Sequence, residues 1–364
     1  MVRLAFCGLL LAWIFQAIFW SEGKRAWEAN GNQPDWEELS REQRLKVSWQ
    51  YGPKELWGTI SLIKPVPLLL SLVAMGSTIL LGVVRWRMVL GVHGLNLSFG
   101  RTMEISIVAH FFNSFLLGAT GGDLIKAYYA ARETHHKKAE AIGTVFVDRI
   151  IGLFALLIFT CGMMILNLPL LRENPLFAKL AWVIVAMTLG ASVVVFLAFR
   201  GGVSRGFPQA REWLRRLPKG DFLERLRDSF RPFGHDKAFL TKSFGISMLI
   251  WVVCVIHVET LAWGLGMKVT TLHLFVIVPM ITCFVVLPIT PSGLGIRENG
   301  FVFLLAVPQI GEDHTTALSL SLLCYAGSLF WSLVGGVVYA TFRQKHHLEE
   351  ITHEPPDENQ KGGS

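Results

Sequence analysis

Residues 150–168 read Ile150-Ile151-Gly152-Leu153-Phe154-Ala155-Leu156-Leu157-Ile158-Phe159-Thr160-Cys161-Gly162-Met163-Met164-Ile165-Leu166-Asn167-Leu168, a run without a charged side chain. A bilayer core about 30 Å thick takes roughly 20 apolar residues in a helix, which this run nearly supplies. Residues 4–20, 66–84, 177–199, 244–265 and 317–342 are blocks of the same kind. Two further apolar stretches, 105–119 and 272–289, are shorter and run into Gly or Pro. Backbone groups in lipid must be satisfied within their own element, so each block is expected to be a helix. Composition agrees: 52% of residues are hydrophobic and only 17% charged, against about 25% charged in soluble domains. The expected fold is an all-α, polytopic transmembrane helical bundle.

The net charge of +7 is spread over the loops and forms no single stripe. That distribution suits membrane orientation and contact with anionic lipid, and argues against nucleic acid as a partner. The densest basic run lies in residues 200–242, from Arg200 to Lys242, interleaved with Phe207, Trp213, Phe222 and Phe230. It reads as an amphipathic cytoplasmic loop. Residues 1–20 begin with Arg3 and lack a small-x-small cleavage site, so they are expected to stay as a first span. Tryptophans near span ends, including Trp57, Trp86, Trp182, Trp251 and Trp331, are expected to be interfacial anchors. Residues 21–65 form a Trp-rich outer insertion, with an amphipathic helix expected from Asp35 to Trp49. Residues 66–342 form the main membrane domain, and residues 343–364 a disordered cytoplasmic tail.

Orientation then constrains the two short stretches. If residues 66–84 end inside, everything from Arg101 to Lys138 must leave and re-enter the same face. Residues 272–307 must likewise begin and end outside. Two broken, re-entrant hairpins in inverted, pseudo-symmetric halves result, and such interruptions point to a transporter's midplane site. Two full spans joined by ordinary loops are the alternative.

The first break is Gly118-Ala119-Thr120-Gly121-Gly122-Asp123-Leu124-Ile125-Lys126. Small residues unwind the chain, Asp123 is expected to cap a new helix, and Lys126 is expected in its first turn. A helix starting inside the membrane offers N–H groups and positive dipole potential to a phosphate. The same small residues also suit close helix packing. Asn113, just upstream, is placed to bridge the interrupted backbone. The second break runs from Pro288 through Pro291, Ser292, Gly293 and Gly295 to Arg297-Glu298; its prolines end a helix and its glycines permit unusual backbone angles.

Asp148-Arg149 interrupts an otherwise apolar run, where ionisable residues are costly unless paired or facing a polar cavity. Neighbours in sequence point to different helix faces, so the two are expected to have different partners. Asp123 or Glu298 is expected to pair with Arg149 or Arg297 across the bundle. His257 and Glu259 are read as interfacial. Cys7, Cys161, Cys254, Cys283 and Cys324 lie in apolar segments without metal-ligand spacing, and read as small buried hydrophobes. No nucleophile–base arrangement stands out, and neither a cofactor nor a metal is expected.

Phe112-Asn113, Gly118, Gly121-Gly122-Asp123, Lys126, Asp148-Arg149-Ile150-Ile151-Gly152, then Pro288, Thr290-Pro291-Ser292-Gly293-Leu294-Gly295 and Glu298 occur in an order that resembles the lysylphosphatidylglycerol synthase transmembrane-region family. This is the flippase-like membrane domain of the multiple peptide resistance factor. The resemblance covers about residues 65–342. It implies a pseudo-symmetric helical bundle in a bacterial cytoplasmic membrane, with both termini cytoplasmic. It also implies handling of lipids with anionic or aminoacylated headgroups. Bifunctional members append a soluble aminoacyl-transferring domain, so lysine transfer is not carried over here. Lys126 replaces the family's usual arginine, keeping the charge and losing bidentate geometry.

The resulting expectation is a lipid flippase or lipid-binding transporter, not an enzyme. A phosphate-bearing headgroup would be held by Asn113, Gly121, Gly122, Asp123, Lys126, Arg149 and Arg297. Asp148 and Glu298 would act as pairing or switching acids, with Gly118, Pro288, Pro291, Ser292, Gly293 and Gly295 forming the breaks. A membrane-embedded transferase using Asp123 or Asp148, and a non-transporting accessory subunit, are the alternatives.

Overall fold

The computed structural model of the chain describes residues 16, 19–20, 23–24, 26–31, 34–114, 121–133, 137–200, 232–233, 236–287, 293, 295–312 and 314–352. Most of the first span, most of the basic loop, the end of the tail, and Gly118, Pro288, Pro291 and Ser292 of the breaks lie outside the described residues. The described residues are helical, with no strand among them.

In chain order the helices are α1 (Arg41–Leu62), α2 (Pro65–Val92), α3 (Phe99–Asn113), α4 (Gly121–Glu133), α5 (Lys138–Leu166), α6 (Leu168–Glu173), α7 (Pro175–Arg200), α8 (Lys237–Gly264), α9 (Thr271–Val285), α10 (Ile296–Leu305) and α11 (His314–Thr352). Helices α2, α5 and α8, with Pro175–Phe196 of α7 and Thr316–Thr341 of α11, are long and apolar enough to cross a membrane. Their outward faces carry exposed Leu69, Leu189, Val194 and Phe196, as a lipid-facing surface requires. The protein is an integral, multi-pass membrane protein. By contrast, α3 and α9 have 15 residues each, which at 1.5 Å per residue gives about 22 Å, short of a bilayer core.

Helices α2 and α8 form an antiparallel frame. Ser71 Oγ lies 2.8 Å from His257 Nδ1, and Arg85 Nη1 donates to Ser247 Oγ at 3.0 Å. Gly264, at the end of α8, abuts Ile63 and Pro67 at the start of α2. The frame fixes the ends of the two short-helix pairs. Ser98 caps α3 just after α2 ends, accepting from Arg101 N at 3.2 Å. Arg101 then reaches Glu133, the last residue of α4, with Nη2 to Oε1 at 2.5 Å, so α3 and α4 are an antiparallel pair fastened at the mouth. At the other end of the frame, Lys268 N, just beyond α8, donates to Glu312 Oε1 at 2.7 Å. This bond joins the entry of α9 to the exit of α10. The mouths of the two hairpins therefore lie at opposite ends of the α2–α8 frame. Between them, α11 packs on α3 where Gly335 meets the backbone of Ile107 and the Phe111 side chain. A side chain there would collide with backbone, so the close approach needs glycine.

Several expectations are corrected. The insertion's helix starts at Arg41, not near Asp35, because Ser40 and Gln43 form a reciprocal capping box: Gln43 N donates to Ser40 Oγ at 3.3 Å and Ser40 N to Gln43 Oε1 at 2.9 Å. It continues past Trp49 to Leu62. Trp36, Leu39 and Val47 give this region a small core of its own, packed by Trp20, Trp27 and Tyr51. The tail is helical to Thr352, since no Gly or Pro follows Gly336 until Pro355. Trp86 is no interfacial anchor. It is fully buried, and its indole donates to Thr144 Oγ1 at 3.3 Å. His257 is buried against Ser71 instead of lying at an interface.

Candidate functional site

A cavity of about 500 Å³ lies among the tips of the two short hairpins and the long helices around them. Its polar lining includes Arg85 from α2, His110 and Asn113 from α3, Asp123 and Lys126 from α4, Asp148 and Arg149 from α5, and Arg297 from α10. Residues from both breaks and from the charged interruption in α5 thus meet in one space.

Asp148 is the most enclosed acid in it. Arg85 Nε donates to its Oδ1 at 2.8 Å and Lys126 Nζ to its Oδ2 at 3.2 Å. All three side chains are about nine-tenths buried. Each carboxylate oxygen therefore has its own cation, the condition under which a buried charge is tolerable. Arg85 reaches Asp148 by lying across Gly152, one turn further along α5; a Cβ there would stand about 3.0 Å from both of its terminal nitrogens. Lys126 also sits over the Trp86 ring, 4.1 Å from its centroid.

Arg149 points to another face of α5, as adjacency on a helix dictates, and its Nε lies 3.5 Å from Asp123 Oδ2. The cross-helix pairing is thus Asp123 with Arg149. Glu298 instead serves its own helix: its Oε2 accepts from Gly295 N at 2.5 Å, and its Oε1 from Arg297 Nη2 at 2.5 Å. A glutamate at the third helical position reaches back to the cap residue in this way. Arg297 also donates from Nε to Ser321 Oγ at 3.3 Å and lies 4.6 Å from the Tyr325 ring centroid. Gly293 and Gly295 take φ of +69° and +85°, angles that favour glycine, so the second break ends as its composition predicts.

Asp123 does not cap α4. The helix starts at Gly121, which puts Asp123 inside the first turn and Lys126 in the second. The cap comes from outside: Asn113 Oδ1 accepts from Gly122 N at 2.7 Å. Asn113 bridges the break and occupies one of the N–H groups expected to face a ligand. Gly122 is pressed so closely on the Ala109 carbonyl and on Asn113 that no Cβ fits. The positive potential on this wall of the cavity consequently comes more from side-chain cations than from the start of α4.

Sequence reading missed Arg85 as a site residue. It stands just after the apolar block 66–84, where hydropathy alone ends the span, yet α2 continues to Val92 and carries Arg85 into the bundle. The signal was the absence of Gly or Pro between Arg85 and Gly91. Around the cavity, Arg85, Lys126, Arg149 and Arg297 meet Asp123 and Asp148 in the lining and Glu298 beside Arg297, four cations to three carboxylates. The excess is positive.

The chain is 24% identical over 298 residues to a UPF0104 membrane protein of Methanothermobacter thermautotrophicus, covering 76% of this chain and 84% of that one. It is 23% identical over 292 residues to a UPF0104 membrane protein of Pyrococcus horikoshii, covering 74% and 85%. Both relatives are archaeal. The family model described as Lysylphosphatidylglycerol synthase TM region matches residues 45–336, well over half the chain and from within α1 to near the end of the apolar part of α11, and the protein belongs to that family.

Proposed function

We propose that the cavity binds the phosphate-bearing headgroup of a membrane lipid and that the protein moves that lipid between leaflets. The observation that carries this reading is the charge balance of the cavity: four cations converge on it from α2, α4, α5 and α10 against Asp123 and Asp148 in its lining and Glu298 beside Arg297, an excess of one positive charge. A buried positive excess is costly unless an anion completes it, and a phosphate supplies charge and acceptor oxygens together. Arg149 and Arg297 are the cations best placed to receive it: a guanidinium carries five N–H donors and meets Asp123 or Glu298 here through one nitrogen, whereas Asp148 engages Arg85 and Lys126 on both of its oxygens. Hairpins with mouths at opposite ends of the frame give the headgroup a route from either face, by separation of one hairpin tip at a time. In this reading both short hairpins are re-entrant, and the mouth of α3–α4 is on the side of the basic loop.

A transferase would need a carboxylate free to act as a base. Asp148 is held by two cations and Asp123 faces Arg149, which favours binding and transport over catalysis.

Reconstituted vesicles test the proposal. Arg149→Ala and Arg297→Ala are each expected to slow movement of a phosphate-bearing fluorescent lipid about ten- to a hundredfold, as loss of a charge-assisted hydrogen bond to a bound phosphate implies. Wild-type rates in both variants, with unchanged elution and melting behaviour, would sink it.

A further inference from the structure

We infer that the apolar groove between α7 and the α9–α10 hairpin holds an acyl chain of the same lipid whose headgroup occupies the cavity; this rests on the reading above. The groove has a volume of about 240 Å³ and is lined by α7, α9 and α10, with Leu180, Phe284, Ile296 and Phe303 among its walls. Its one polar side chain, Asn299, turns its amide back to the Gly295 carbonyl at 2.7 Å and so offers the groove no hydrogen bond it needs to make. A dry, apolar space of this kind suits hydrocarbon and repels water or a headgroup.

Two observations tie the groove to the cavity. The walls are shared: Val285 and Arg297 line the cavity, while their sequence neighbours Phe284 and Ile296 line the groove. The tip of the second hairpin therefore presents charge to one side and hydrocarbon to the other, as an amphiphile requires. The groove is also accessible to lipid, since Phe303 is 61% exposed on the outer side of α10. Gly300 lets Ile281 of α9 pack directly on α10, where a Cβ would stand 3.0 Å from Ile281 Cγ1, so this wall of the groove is smooth and apolar. Helix α10 is 10 residues long, which is about 15 Å; a fatty chain lying along it would bring its glycerol end to the level of Arg297.

The experiment uses the full chain in vesicles with two photo-reactive probes, phosphatidic acid and diacylglycerol, each bearing a diazirine near the end of one acyl chain. Phosphatidic acid is expected to label Leu180, Phe284 or Phe303. Arg297→Ala, and independently Arg149→Gln, should reduce that labelling about tenfold through loss of the headgroup anchor. Diacylglycerol labelling should be weaker and indifferent to both substitutions. Equal labelling by the two probes, unchanged in either variant, would mean that ordinary bilayer lipid fills the groove, and would overturn the inference. Retention of phosphatidic acid that depends on Arg149 and Arg297, but without labelling in the groove, would overturn it while leaving the headgroup site standing. Retention that ignores both arginines would remove the headgroup site and the inference with it.

Discussion

Asp148→Ala is expected to lower the stability of the detergent-solubilised protein by about 3–5 kcal/mol, the usual cost of stranding a buried charge whose partner has been deleted. Two cations are stranded here, Arg85 and Lys126, and both are buried. Lys126 would keep its contact with the Trp86 ring and Arg85 its bond to Ser247, but neither would keep a directly bonded carboxylate. Thermal unfolding followed by tryptophan fluorescence reads the loss. A companion variant separates charge from packing. Lys126→Met in the Asp148→Ala background removes one stranded cation at similar volume, and should recover part of the lost stability. A double variant no more stable than Asp148→Ala alone would show that the carboxylate does not act through Lys126. Wild-type melting of Asp148→Ala would dispose of the ion-pair account altogether.

The second large effect is steric. Gly122→Ala is expected to destabilise the protein by about 1–3 kcal/mol, the range for adding volume where packing is already complete. The added methyl would meet the Ala109 carbonyl and the Asn113 side chain. A backbone carbonyl cannot swing aside as a side-chain tip can, so α4 must move away from α3. That motion lengthens the Asn113–Gly122 hydrogen bond and carries Asp123 and Lys126 out of the cavity wall. The same melting assay, with phosphorus analysis of retained lipid, should report a lower midpoint and less bound phosphate together. Unchanged values for Gly122→Ala would show that the hairpin is looser than its contacts suggest. Gly152→Ala, whose Cβ meets only the flexible end of Arg85, should be milder.

Much of the architecture was legible because hydrophobic length is a direct physical demand of the bilayer. Residues 150–168 could hardly be anything but a span, and the shortness of 105–119 and 272–289 marked them as a different kind of element. Asp148-Arg149 was visible for the same reason, as a costly interruption in an apolar run. Partners were not legible. A hydropathy run ends at the first charge whether that charge lies at the interface or is buried against a carboxylate, so Arg85 looks like a boundary residue from sequence. Only tertiary packing, with Gly152 making room for its guanidinium, reveals the difference. Asp123 was misplaced as a cap because the true cap is Asn113 of the preceding helix, whose bridging of the break was legible but whose bond to Gly122 N was not. Glu298 went the other way: its partners lie within three residues, at Gly295 and Arg297, and a long-range pair was expected where a local cap sufficed.

The two hairpin mouths are fastened by bonds of different kinds. Arg101 and Glu133 are each more than four-fifths covered, while the bond from Lys268 to Glu312 is open to water. Dissolved ions screen exposed charges over about 8–10 Å at physiological strength, and sheltered pairs much less. The Arg101–Glu133 mouth is an ion pair sheltered from that screening, and the Lys268–Glu312 mouth joins a neutral amide to an exposed carboxylate. Water can compete directly for the second bond, whereas the first gives way only if a sheltered ion pair is exposed.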